Sequence, residues 1–188
     1  MNYYHNAKNA ASYVAMCEGY DAAGQLGVLF KALSEKSRVL ELGSGPGNDM
    51  ALLETHYQVI GSDYSPAFID ILKARFPSRS ILELDAVAIA TEESFDAIYS
   101  NKVLHHLNDA ELRSSFQRQA ELLATGSFVY HLIWQRIEDP EIDEGLIFKA
   151  RSANEFVAAM GSSFELISVE EFCEFEQGDS LAILARRI

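Results

Sequence analysis

The run Val39-Leu40-Glu41-Leu42-Gly43-Ser44-Gly45-Pro46-Gly47 constrains the fold of this chain more than any other stretch. A short apolar segment ends in alternating glycines and a proline, and a helical pattern then opens. That is the signature of a buried strand turning sharply into a helix. Glycine permits such a turn and lets a ligand approach main-chain atoms with no Cβ in the way. A second short apolar segment, Val59-Ile60-Gly61-Ser62, ends in Asp63. A carboxylate at the tip of the next strand, about 20 residues on, is placed to grip a ribose diol. Together the two segments predict a nucleoside site on an α/β sheet.

The rest of the chain repeats the alternation. Residues 6–17 and 22–33 read as helices, broken by Gly19. Strands are expected at 38–42, 58–62, 80–84, 95–100 and 127–134. Helices are expected from Pro46 to about residue 55, from Ser65-Pro66 to Pro77, and over 109–123. Phe68, Ile69, Leu72 and Phe76 recur at helical spacing, as do Leu112, Phe116, Ala120 and Leu123. Pro140 and an acidic cluster predict a loop. Ser152 with Glu155 predicts a capping box opening a helix over 152–160, and 164–169 and 180–185 read as strands. Alternating strands and helices predict a parallel sheet covered on both faces. The last two strands have no long helix between them, so they are expected to pair as an antiparallel hairpin at one edge.

Glycine spacing narrows the ligand. A dinucleotide fingerprint would place its last glycine at Asn48, and its pyrophosphate would lie over the helix N-terminus. Glu41 and Asp49 flank this loop, which disfavours a pyrophosphate. They suit a cationic ligand without phosphate, and S-adenosylmethionine, with a sulfonium and an ammonium, fits. The stretch from Val39 to Gly47 resembles the first motif of the class I S-adenosylmethionine-dependent methyltransferases. Ser100-Asn101-Lys102-Val103-Leu104-His105-His106-Leu107 resembles the fourth motif of the small-molecule branch. The resemblance implies a Rossmann-like three-layer α/β sandwich with a mostly parallel seven-stranded sheet and a C-terminal antiparallel hairpin strand. It also implies a single domain over 1–188, with 1–34 as a helical lid segment.

The candidate residues follow. Glu41 is expected to face the ammonium or to order the loop, with Gly43, Ser44, Gly45 and Gly47 forming the cradle. Asp63 is expected to accept from both ribose hydroxyls, and Tyr64 to offer a face to the adenine. The resemblance implies that Asp85 accepts from the adenine amino group and that the N–H of Ala86 meets a ring nitrogen. Ser100 and Asn101 are polar contacts near the sulfonium. Tyr13, with Tyr4 and Tyr20 nearby, is the preferred lid contact.

For the acceptor, His105 and His106 are candidate bases, of which only one is expected to face the pocket, because neighbours on a helix diverge by about 100°. Lys102 either holds a substrate carboxylate or is plain surface. Trp134 can line an apolar acceptor pocket. His131 is either in that pocket or buried and hydrogen-bonded.

Composition narrows the partners. The chain has 188 residues and a net charge of -13, which disfavours nucleic acid and anionic membrane surfaces. Cys17 and Cys173 lie far apart in no metal-binding spacing, and both read as packing residues in a reducing compartment. The polar N-terminus does not resemble a signal peptide, so the expectation is a cytoplasmic protein, monomer or homodimer. No metal is expected. The connection between the fifth and sixth strands is short, which points to a small acceptor. The expected activity is methyl transfer from S-adenosylmethionine to a small molecule, leaving S-adenosylhomocysteine. Two rivals stand beside it: a domain that binds the cofactor without turnover and serves as a partner or sensor, and a dinucleotide-dependent oxidoreductase, which the glycine spacing opposes.

Overall fold

A computed structural model of the protein describes residues 3–135 and 148–188. The loop expected around Pro140 lies outside the described residues. Strands β1 (Arg38–Leu42), β2 (Gln58–Asp63), β3 (Ile81–Glu83), β4 (Phe95–Asn101), β5 (Leu123–Trp134), β6 (Phe164–Phe172) and β7 (Ser180–Arg187) form one seven-stranded sheet, ordered β3-β2-β1-β4-β5-β7-β6. The pairings from β3 through β5 are parallel. β7 lies between β5 and β6 and runs antiparallel to both. The connection from β6 to β7 is too short for a crossover, so the strands must reverse.

The helices are α1 (Ala7–Met16), α2 (Ala23–Ala32), α3 (Asn48–Leu53), α4 (Pro66–Arg75), α5 (Asp109–Leu122) and α6 (Ala153–Met160). Strand residues alternate between two cores. Leu40 and Ile98 pack with Phe116 of α5 and Phe156 of α6. Val39, Ala97 and Tyr99 pack with Leu26 and Leu29 of α2 and Met50 of α3. Period-two alternation in a strand covered on both faces produces this split. The last two helices open as the side chains require. Asn108 with Glu111 and Ser152 with Glu155 form reciprocal capping boxes.

Of the boundaries that differ from expectation, two have a local cause. α3 begins at Asn48 rather than Pro46, because Gly47 takes a left-handed φ of 82° that no helix can contain. β5 begins at Leu123, ahead of Gly126; its register against β4 slips between Leu123 and Phe128, so the glycine turn is a bulge inside the strand. The chain runs outward from β1 through β3, then returns to β4 on the other side of β1. That reversal opens a crevice at the carboxyl ends of β1 and β4.

Candidate cofactor and acceptor site

Loops after β1, β2 and β4 meet at this crevice. Gly43 and Gly45 take φ of 67° and 50°. A Cβ on Gly43 would lie 2.4 Å from Cγ2 of Val103, so only glycine lets the two loops touch. The Gly45 N–H donates to Oδ2 of Asp63 at 3.0 Å, and the Ser65 N–H donates to Oδ1 at 2.8 Å. These bonds fix the carboxylate at the β2 tip. Burial raises its pKa, and the backbone donors oppose the rise.

Gly47 departs from its expected role. A Cβ there would meet Phe76 at 2.6 Å and Leu72 at 2.9 Å, so this glycine lets α4 pack against the loop instead of lining the crevice.

Two buried carboxylates face the crevice. Oε2 of Glu41 accepts from the Ser44 hydroxyl at 2.8 Å. Oδ2 of Asp49 accepts from the Tyr99 hydroxyl at 2.7 Å and from Nδ2 of Asn101 at 2.8 Å. Burial, then the nearby Asp49 charge, pushes the Glu41 carboxyl up to about 8. Asp49 is raised as well, mainly by burial. Among the described residues, no lysine or arginine forms an ion pair with Glu41, Asp49 or Asp63. Buried carboxylates without a protein cation favour a ligand that brings one.

The crevice holds two adjoining cavities. The larger, about 280 Å³, is lined by Glu41, Ser44, Asp49, Asn101, both histidines and Trp134, among others. The smaller, about 110 Å³, is lined by Asp63, Tyr64, Leu84, Ala86 and Val103, among others. Gly43, Gly45, Tyr13, Asn101, Lys102 and His106 border both. The N-terminal segment closes over them. Tyr4, Tyr13 and Phe68 form an aromatic cluster with centroids 5.2–5.7 Å apart. His5 lies 4.9 Å from the Tyr64 ring.

Asp85 turns away. Its Oδ1 accepts from the Val87 N–H at 2.6 Å, and its neighbours Leu84 and Ala86 line the smaller cavity in its place. A short acidic side chain after a strand readily closes such a local turn.

Ser100 and His131 lie on the other side of the sheet, against α5. The Ser100 hydroxyl pairs with Nδ1 of His131 at 2.8 Å, and Nε2 pairs with Oε1 of Gln119 at 3.0 Å. Both are fully buried, and burial holds the imidazole down at about 3. Their position on β4 and β5 explains the difference from expectation. Ser100 shares the α5 face with Ile98, while Asn101 one residue on shares the crevice face with Tyr99.

His105 and His106 both reach the larger cavity, with ring centroids 4.1 Å apart. The expectation that only one would do so is not met: the two rings touch each other, and both touch Phe148, at the cavity wall. His105 is 2% exposed. Burial, then His106, Lys102 and Arg151, keeps its imidazole well below the ordinary range. Lys102 takes a left-handed φ of 56°, rare for a side chain with a Cβ. Its Nζ donates to the Ser180 hydroxyl at 2.6 Å, pairs with Glu174 at 3.0 Å and sits 3.6 Å above the Trp134 ring. Lys102 is therefore neither plain surface nor an unpaired anion site.

Several lining residues escaped sequence reasoning. Asp49 was visible only as an acid near the loop. Cys17, expected to be packing alone, borders the larger cavity, as do Phe148, Glu174 and Phe175. The last three come from segments with no motif and reach the site only through the β6–β7 hairpin and the approach to α6.

The fold and the crevice define an α/β protein with an open site at its switch point. Residues 39–126 match the sequence model of the methyltransferase domain family. A trans-aconitate 2-methyltransferase of Methylobacterium radiotolerans is 40% identical over 73 residues, covering 37% of this chain and 28% of that one. An uncharacterized methyltransferase of Oceanobacillus iheyensis is 32% identical over 116 residues, 60% of this chain and 52% of that one. The chain thus spans about half or less of the curated relatives it matches. A TehB-like S-adenosylmethionine-dependent methyltransferase of Corynebacterium glutamicum superposes with a TM-score of 0.75 at 18% identity, over 97% of this chain and 98% of that one, and shares the fold. Residues 39–126 thus carry a methyltransferase domain, and the chain as a whole shares the fold of an S-adenosylmethionine-dependent methyltransferase.

Proposed function

We propose that this protein binds S-adenosylmethionine and transfers its methyl group to a small-molecule acceptor. The observation that carries the reading is the uncompensated set Glu41, Asp49 and Asp63 around a glycine loop beside an open cavity. The residues fit the cofactor. Glu41 and Asp49 would hold its cationic end, and Asp63 the ribose. Tyr64, Leu84 and Ala86 would flank the adenine, with Tyr4 and Tyr13 closing over it. When bound, the cofactor supplies a methyl group already activated by its sulfonium.

The chain's own task is then alignment and dryness. Asn101 sits where the two cavities join and is tied to Asp49 and Tyr20, at 2.8 and 3.0 Å. The N-terminal aromatic cluster excludes water from the loop. The trans-aconitate methyltransferases among the relatives support a small acceptor. An open, partly aromatic cavity next to the glycine loop favours turnover over silent binding. No helix among the described residues is long and apolar enough to cross a membrane.

Calorimetry with S-adenosylhomocysteine, followed by label transfer from S-adenosylmethionine to a panel of small acids, phenols and amines, tests the reading. Tight NAD(H) binding without S-adenosylhomocysteine binding would overturn it.

A further inference from the structure

Building on that reading, we propose that the acceptor is an uncharged arylamine, a planar ring carrying an N–H donor, rather than a carboxylate. Three features of the larger cavity carry this. The first is its aromatic walls. Trp134 stacks on Phe175 with centroids 5.6 Å apart and 14° between planes, and Phe148 stacks on His105 at 5.3 Å and 15°. Two stacked pairs on one cavity favour a flat ring between or beside them.

The second feature is a pair of unpartnered buried polar atoms, a carbonyl oxygen and an imidazole nitrogen that accepts when the other ring nitrogen carries the proton. Among the described residues, Nδ1 of His105 and Oδ1 of Asn101 are shielded from solvent and have no hydrogen-bond partner. The Asn101 amide orientation is set by its Nδ2, which donates to the Asp49 carboxylate and the Tyr20 hydroxyl. Its carbonyl oxygen is thus the atom left over. Buried acceptors without donors are costly, so a ligand bearing N–H groups gains by supplying them.

The third is charge. Lys102 is the one lysine or arginine bordering the larger cavity among the described residues, and Glu174 already pairs with it. A tricarboxylate such as trans-aconitate would have to displace Glu174 to reach the Lys102 charge, and two of its three carboxylates would still lack a lysine or arginine at this cavity. The relatives' named substrate is therefore a poor fit to this cavity.

The reaction balances for an amine. The nitrogen lone pair forms the new N–C bond as the S–C bond breaks, and the positive charge passes from sulfur to nitrogen. The resulting ammonium then releases a proton to water or to Nδ1 of His105. An imidazole kept neutral by burial is a weak base. It serves a nucleophile that attacks in its neutral form better than one that must first lose a proton.

The test uses the whole chain saturated with S-adenosylhomocysteine and titrated with p-toluidine, 4-methylbenzoate and trans-aconitate at pH 7.5. We expect p-toluidine to bind at least about tenfold tighter than either anion. With S-adenosylmethionine, N-methyl-p-toluidine should form. His105→Phe keeps the stack on Phe148 but removes the ring nitrogen. It should weaken p-toluidine several-fold while S-adenosylhomocysteine affinity holds. Glu174→Gln frees the Lys102 charge, and 4-methylbenzoate should then bind several-fold tighter than to the natural chain. If the protein binds S-adenosylhomocysteine but not p-toluidine, or binds either anion as tightly, the acceptor proposal fails alone. If it does not bind S-adenosylhomocysteine, the methyltransferase reading fails first.

Discussion

The N–H of Gly45 donates to Oδ2 of Asp63 at 3.0 Å, tying the loop after β1 to the tip of β2. One carboxylate thereby orders the glycine loop, and under the proposed function its remaining lone pairs serve a ribose diol. Asp63→Ala removes both functions. Affinity for S-adenosylhomocysteine should fall by about 1–3 kcal/mol, the loss expected when a charged group's hydrogen bonds disappear. Unchanged affinity in calorimetry would remove Asp63 from the cofactor site.

Stability of the ligand-free protein should pass through a maximum near mildly acidic pH. Burial raises the Glu41 carboxyl from 4.5 to about 8. The folded state then holds a proton the unfolded chain has lost, so this contribution, full below 4.5, fades as pH rises to about 8. His131 acts in the opposite sense. Burial lowers it from 6.5 to about 3, so its contribution is present above 6.5 and is lost as pH falls toward 3. Denaturant unfolding at stepped pH should show both limbs, and Glu41→Gln should flatten the alkaline one. A flat profile between pH 4 and 8 would contradict the assigned burial.

Binding a cation at Glu41 requires its carboxylate form. Titration of S-adenosylhomocysteine at pH 7 should therefore release protons, and affinity should rise as pH approaches 8. Calorimetry in buffers of different ionisation enthalpy measures that release. Proton uptake on binding would place the ammonium elsewhere.

Gly43→Ala should be poorly tolerated. The new Cβ would fall 2.4 Å from the Val103 side chain, at a φ of 67°. The backbone strain alone costs on the order of 1–3 kcal/mol. For a chain of this size each kcal/mol lowers Tm by roughly 2–4 °C, readable by scanning calorimetry. Gly126→Ala is the control, because open space surrounds that position; only its φ of 94° resists the change.

His131→Ala should damage the fold and spare the ligand. It breaks the contacts to Ser100 and Gln119 and opens a core cavity, at a cost of about 2–4 kcal/mol. S-adenosylhomocysteine affinity should stay within about twofold, since sites without shared partners behave additively. A large loss of affinity would return His131 to the binding site.

Much of the architecture was legible in the chain. Short apolar strands punctuated by glycine and proline, with helices at 3.6-residue spacing, are local patterns. They located the strands, the capping box at Ser152 and the terminal hairpin to within a few residues. The glycine loop and Asp63 were legible for the same reason. Each sits at the end of its own strand, and a parallel sheet brings those ends together.

What the sequence could not show was the face each side chain would take and which distant segments would meet. Asp85 and Ala86 are adjacent, yet a local hydrogen bond to Val87 turns Asp85 aside while Ala86 lines the crevice. Ser100 and Asn101 diverge because strand residues alternate, and only packing against α5 decides which of them enters the core. Glu174 and Phe175 reach the larger cavity through long-range pairing of β7 with β5 and β6, and Phe148 reaches it beside the backbone bond from the Lys149 N–H to the His105 carbonyl. Local sequence determined the elements and the cofactor loop. Tertiary packing alone decided the larger cavity, because a cavity belongs to no single segment.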